Sequence, residues 1–264
     1  MEYPAKETQV RGAMRAAYQS TQRLEDAEAQ LKKDSENAAL WEEKGHALVE
    51  IGLYREAIEA FSRGLVCDPT RGTLYLERGH RHLNCGEFEE AAADLHLASM
   101  LCPQRWDVYY HLGLAHYMLG EYDRAEDAFR FGIRLSDRDN YLVPMLNWCW
   151  VTLVHAGKQE DADALLKTVR ANMKSEENYF YLNLLLLDKG IFTPEDVLFG
   201  PELQPDADSI TAAYGVSNYY YFVAHDEQKS DEWIDRILAV GAEEAWATFA
   251  YLSAMTEKQR RARK

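Results

Sequence analysis

A set of landmarks spaced 34 residues apart constrains this chain more than any other feature. Gly45 returns as Gly79 and Gly113, and Gly52 as Gly86 and Gly120. Tyr54 becomes Phe88 and Tyr122, Ala57 becomes Ala91 and Ala125, and Phe61 becomes Leu95 and Phe129. Gly64 becomes Ala98 and Gly132. A fixed period of this length means one supersecondary unit used repeatedly, each copy burying its apolar face against the next.

The residue types say what that unit is. Two antiparallel helices approach closely only where side chains are small, and Gly45 with Ala57, Gly79 with Ala91 and Gly113 with Ala125 offer such pairs. Gly64, Ala98 and Gly132 do the same where a second helix meets the next unit, and the large residues of the columns fill the space between. Gly52, Gly86 and Gly120 are placed to end each first helix, where a left-handed backbone suits glycine. Pro69 and Pro103 stop the second helices, since proline has no N–H to donate. With these columns the chain resembles the tetratricopeptide repeat family, a helix–turn–helix unit that stacks into a solenoid. The resemblance implies an all-α, right-handed superhelical solenoid of antiparallel helix pairs.

The chain then divides into residues 1–36, a tail and packing helix; 37–139, three regular repeats; 140–199, one or two degenerate repeats; and 200–264, an irregular helical pair, a capping helix and a basic tail. The first helix is expected over Thr8–Lys32, with Val10, Met14, Ala17, Tyr18, Leu24, Ala27 and Leu31 on its apolar side as a lid on the first repeat. Beyond Asn140 the expected helices are Tyr141–Ala156, Gln159–Met173 and Glu177–Lys189. Thr193-Pro194-Glu195-Asp196 reads as a helix start. Phe199–Pro205, with one glycine and two prolines, is the expected break in the stack. Helices near Asp208–Ala224, Ser230–Ala239 and Glu243–Glu257 follow.

Hydrophobic residues make up 47% of the 264, enough for a substantial core, and the net charge is −15. Five of the last seven residues are basic, so the body of the chain is more acidic still and repels nucleic acid and anionic lipid. No apolar run reaches membrane-spanning length. The polar N-terminus lacks an export signal's apolar centre, so a cytoplasmic location is expected. Cys67, Cys85, Cys102 and Cys149 form no CxxC pair and read as reduced structural thiols.

Little in the chain points to catalysis. His80-Arg81-His82 invites a metal reading, but helical residues two apart point about 200° apart, and no histidine pair has the i,i+3 or i,i+4 spacing of a helical metal site. His82 and His116 share one repeat column and read as packed or hydrogen-bonded. The glycines follow the repeat, not a phosphate-binding loop. Tyr219-Tyr220-Tyr221-Phe222 spreads around a helix rather than forming a base-stacking platform. No cofactor is implied.

In the family that the chain resembles, first helices line a concave face that holds a partner segment. Carried over, that face comprises Glu42, His46, Val49, Glu50, Leu76, Glu77, His80, Leu83, Asp107, Tyr110, His111, Leu114 and Tyr117, with Asn147 and Val151 extending it. Of these, Glu42, His46, Glu77, His80, Asp107, Tyr110, His111, Leu114 and Tyr117 are the expected partner-binding residues. The family's clamp for acidic tails needs Lys, Asn and Arg. The matching positions Glu42, His46, Glu77, Asp107 and His111 include three acids, so that clamp is excluded. The expectation is a non-catalytic scaffold holding a basic or amphipathic protein segment in an acidic, His/Tyr-containing groove, with Tyr110 and Tyr117 as anchors. The competing readings are a structural homo-oligomer, with exposed Trp246, Phe249 and Tyr251 forming a homodimer, and a peptide-sensing regulator. The basic run Arg260-Arg261-Ala262-Arg263 is expected to be a frayed helix end able to visit the groove.

Overall fold

The computed structural model describes residues 20–198, 200 and 202–263, and all its regular elements are helical. The chain divides into two compact units, Met1–Ala115 and His116–Lys264.

The first unit opens with α1 (Gln22–Leu31), capped by the Thr21 hydroxyl, which accepts from the Leu24 N–H at 3.3 Å. The expected helix from Thr8 therefore starts at Gln22 as far as the described residues go, because Thr21 adopts an extended backbone; Val10, Met14, Ala17 and Tyr18 lie outside the described residues. Leu24, Ala27 and Leu31 are buried, and Leu24 joins a core with Ala47, Leu48, Phe61 and Leu74. Two helix pairs follow, α2 (Ala38–Glu50) with α3 (Tyr54–Cys67) and α4 (Gly72–Asn84) with α5 (Phe88–Leu101). The first helix of a third pair, α6 (Trp106–Leu119), crosses into the second unit.

The turns between helices form as the glycine column requires. Gly52 and Gly86 have φ of 73° and 68°, and the following N–H groups of Leu53 and Glu87 reach back to the carbonyls of Leu48 and His82 at 2.9 Å. That satisfies carbonyls which a helix end otherwise leaves open. The close crossing differs in detail from the small–small pairs expected. A Cβ on Gly45 would lie within 2.6 Å of three carbons of the Phe61 ring, and one on Gly79 would lie 2.8 Å from Leu95 Cγ. Each glycine makes room for the large residue of the second helix. Ala91 touches the Gly79 crossing through its backbone, its carbonyl 3.3 Å from that Cβ position. Gly64 seats Leu74 of the next pair, as its column implies.

The second unit contains α7 (Tyr122–Leu135), α8 (Asp139–His155), α9 (Gln159–Thr168), α10 (Tyr179–Asp188), the single turn α11 (Pro194–Val197), α12 (Ala207–Asn218), α13 (Glu227–Val240) and α14 (Phe249–Arg261). Helix α12 widens into a π turn over Tyr219–Val223, where the Ala224 N–H bonds the Tyr219 carbonyl. Helix α9 ends five residues earlier than expected, at an extended and buried Val169. Pro144 sits inside α8. Its ring nitrogen cannot bond the carbonyl of Asn140, and that carbonyl accepts from the Asn178 amide instead, at 2.9 Å. Trp148, Tyr117 and Tyr214 form the aromatic centre, with the Tyr117 and Tyr214 hydroxyls 2.6 Å apart.

The C-terminal end departs most from expectation. Residues 241–247 are turns, and α14 begins at Phe249 behind a Thr248 cap. Arg260 and Arg261 are built in, not frayed. Arg260 donates to the carbonyls of Tyr117 and Met118 at 2.8 and 2.7 Å. Arg261 reaches Glu257 and Asp231, and Lys258 reaches Asp235. Trp246, Phe249 and Tyr251, expected to be exposed, are half-buried.

Asp188, at the end of α10, has no such compensation. It is 9% exposed, and its Oδ1 has no hydrogen-bond partner. Burial pushes its carboxyl well above the ordinary value. The native state therefore keeps the proton to higher pH than the unfolded chain. The associated stability is complete below about pH 3.9 and is lost as pH rises through the native value. Asp188→Asn removes the charge at nearly constant shape. It is expected to raise the unfolding free energy at neutral pH by about 1–3 kcal/mol and to change little near pH 4. Urea unfolding at the two pH values checks this.

Candidate functional site

The first unit aligns the polar faces of its first helices. The His46 imidazole on α2 stands 3.9 Å from Glu77 on α4. One turn further along α4, His80 stacks on His111 of α6, with ring centroids 4.0 Å apart and planes tilted by 33°. Tyr110 lies edge-on to His111 at 5.2 Å, and Trp106 is 6.2 Å from Tyr110. Glu42, His46, Glu77, His80, Asp107, Tyr110 and His111 are all half-buried. Seven of the nine expected partner-binding residues are thus partly open to solvent, and five of them, His46 with Glu77 and His80 with His111 and Tyr110, are joined by contacts.

The other two are not. Leu114 and Tyr117 are fully buried, and Tyr117 belongs to the aromatic centre of the second unit. Their side chains present nothing for a partner to touch. Leu76, Leu83, Asn147 and Val151 are buried as well. Leu76 and Leu83 fall on the buried side of α4, and α8 is buried on every side from Val143 to Val154.

The acids of this face already have basic neighbours. Arg71 donates to Glu42 at 2.7 Å, and Arg105 donates to Asp107 at 3.1 Å. Glu77 has His46, and it also acts through space on Arg81 and Arg105. The face is therefore close to neutral rather than acidic. Arg71, Arg105 and Trp106 were not foreseen as part of it, since the first two precede their helices and Trp106 falls outside the family columns. Arg81 stood in view within His80-Arg81-His82, weighed there only as a metal motif. Among the described residues no group of three or more His, Cys, Asp or Glu could hold a metal ion.

The electrostatics of the centre follow from burial. Burial drives the His111 pKa down to about 4, with Arg81 adding to the effect against a raising hydrogen bond to the Asp107 carbonyl. Burial likewise drives His80 well below its ordinary value, helped by His111 and Arg81. Both rings are neutral at physiological pH.

The histidine column has a separate, structural role. His82 Nδ1 bonds Glu87 at 2.7 Å, and in the second unit His116 Nδ1 bonds Glu121 at 2.7 Å. Each clasp spans a glycine turn. Glu87 also pairs with Arg55, and its hydrogen bond to His82 leads the effects that hold its carboxyl at about 2.

Residues 76–137 match the tetratricopeptide repeat family model. Among solved structures, the chain is similar to a crystal structure of MamA, at 25% identity and TM-score 0.50, covering 63% of this chain and 91% of that one. It is similar to MamA from Desulfovibrio magneticus RS-1, at 16% identity and TM-score 0.52, covering 63% and 94%. A third likeness is to YrrB, described as a TPR protein with an unusual peptide-binding site, at 14% identity and TM-score 0.50, covering 84% and 95%. No curated protein sequence matches the chain. No described helix is long and apolar enough to cross a membrane.

Proposed function

The chain carries tetratricopeptide repeats, and on that premise we propose that its first unit is a non-catalytic binding surface for a segment of a protein partner. The observation that carries this reading is the continuous half-open face made by His46 with Glu77 and by His80 with His111. Three first helices contribute to it, and the rigid helix pairs behind them hold it in place before any partner arrives, which limits the ordering cost of binding.

The face favours an amphipathic segment over a simply basic one. Glu42 and Asp107 are already ion-paired with Arg71 and Arg105, so a cationic partner gains little from them. Tyr110 and Trp106 supply aromatic surface beside polar groups, the composition typical of binding hot spots. Tyr110 is the principal anchor, and Glu77 and His46 are the polar contacts beside it.

Selection from a library of short peptides against the purified protein tests this. Amphipathic sequences are expected to be enriched, and Tyr110→Ala together with Glu77→Lys is expected to weaken them at least about tenfold, roughly 1.4 kcal/mol or more. Selected peptides that bind the double variant with unchanged affinity would place the binding surface elsewhere.

A further inference from the structure

A second recess lies on the first unit, on another side of α2 from the face above. It has a volume of about 690 Å³ and is walled by α1 and α3, with α2 between them. Trp41, Lys44 and Leu48 of α2 line it, whereas Glu42 and His46 point roughly a third of a turn round the helix from them. Its walls are held in place. The Trp41 indole N–H donates to the Ser35 carbonyl at 2.8 Å. Lys44 reaches Glu28 of α1 at 2.8 Å and lies 5.8 Å from the centre of the Trp41 ring. Leu24, Leu48, Leu53 and Ala60 are buried and form an apolar bottom. The volume falls within the range of natural binding pockets.

The shape of the recess selects its occupant. Its lining residues on α3 are Glu56, Glu59, Ala60, Arg63, Val66 and Cys67. They recur at three- and four-residue intervals, so the recess is a trough ~17 Å long that runs with the helix. A trough between helices, apolar at the bottom and charged at the rim, suits the apolar stripe of another helix. The rim also selects the sign of the occupant's charge. Glu28, Glu36, Glu56 and Glu59 stand against Lys44 and Arg63, four carboxylates against two cations. Lys44 is already paired with Glu28, and Glu36, Glu59 and Arg63 have no ion-pair partner among the described residues. The excess is negative. At the mouth Val66 is 78% exposed, and Met100, 34 residues on in the same column of α5, is 67% exposed. Apolar surface therefore extends from the trough onto the next second helix.

We propose that the trough between α1 and α3 is a second docking site, which takes a basic amphipathic helix of a partner protein. Its apolar side chains enter over Leu24, Leu48 and Ala60, and its Lys or Arg residues meet Glu36 and Glu59. The site does not depend on the face around Tyr110, and either can exist without the other.

The probe is a short helical peptide made only of Leu and Lys at heptad spacing. Fluorescence anisotropy measures its affinity for the full chain at fixed ionic strength, and Cys67, which lines the trough, reports where it sits. Cys102, at the end of α5, is an equally half-buried reference thiol. Burial and the carboxylates of Glu36 and Asp34 hold the Cys67 thiol above its ordinary value, so iodoacetamide labelling is run at mildly alkaline pH and read at each cysteine by mass spectrometry. Near saturation the peptide is expected to slow labelling of Cys67 ~tenfold by occupancy alone and to leave Cys102 unchanged. Glu59→Lys with Val66→Ser, both at exposed positions, is expected to weaken binding ~tenfold or more. The charge-matched pair Glu77→Lys with Tyr110→Ala is expected to leave it unchanged. An unprotected Cys67, or Cys67 and Cys102 protected alike, overturns the proposal. Binding lost only in the Tyr110 variant overturns it too and places the peptide on the other face. A peptide with Glu for every Lys, or Ala for every Leu, is expected to bind ~tenfold more weakly or worse; equal affinity of either overturns the chemistry assigned to the partner. Protection of Cys67 that grows with protein concentration in the absence of peptide overturns it in favour of a second copy of this chain.

Discussion

Deleting residues 258–264 is expected to destabilise the second unit by about 3–5 kcal/mol, the scale for stripping partners from a buried charge. Glu257 is 5% exposed. Burial pushes its carboxyl up, but His155, Arg261 and Arg260 outweigh burial and hold it below its ordinary value. The deletion removes both arginines and leaves His155, 3.6 Å away, whose own pKa burial drives down to about 4. The buried carboxylate then keeps one weakly basic ring in place of two guanidiniums and that ring. The carbonyls of Tyr117 and Met118 also lose the Arg260 donors. Urea unfolding of the truncated chain measures the loss, and adding Glu257→Gln to the truncation is expected to recover part of it. A truncated chain as stable as the full one would show that the tail is solvated and the ion pairs carry nothing. The same experiment separates this role from a tail that visits the binding face, because the latter changes partner affinity and leaves stability intact.

Gly45→Ala is expected to destabilise the first unit by about 1–3 kcal/mol, although glycine to alanine inside a helix ordinarily gains about 1 kcal/mol. The reversal comes from Phe61. Its ring is completely buried and would lie 2.6 Å from the new Cβ at two of its carbons, so it cannot swing into solvent. Gly45→Val is expected to cost more. Phe61→Leu alone leaves a cavity and also destabilises, yet combined with Gly45→Ala it is expected to be less harmful than the two separate losses predict, because each relieves the other. A double-mutant cycle by thermal unfolding reads this coupling. Additive losses would mean that the crossing distance is set by something other than this pair.

The repeat columns made the helix pairs of the first unit legible before any coordinates. A glycine that recurs every 34 residues must have a backbone reason, and positive φ at Gly52, Gly86 and Gly120 supplies it. The same logic reached Gly157 and Gly190, which close α8 and α10 with φ of 72° and 74°. It failed at α9 and at the start of α14. There the ends are set by a buried Val169 and by the Thr248 cap, neither of which belongs to a repeated column.

For the candidate site, periodicity placed His46, Glu77, His80, Tyr110 and His111 on one face, because helical phase alone fixes which residues share a side. It could not decide how deep each one lies. Leu114 and Tyr117 share that phase and are fully buried. Nor could it assign partners. The acids look unopposed along the chain, but Arg71 meets Glu42 across 29 positions of sequence, and Arg105 turns back onto Asp107. Charge neutralisation and burial depend on distances between elements, and spacing along one helix carries no record of them. The sequence by itself determined the helix pairs, their turns and the residues that share a face. Only tertiary packing decided which of those residues solvent can reach and which charges are cancelled.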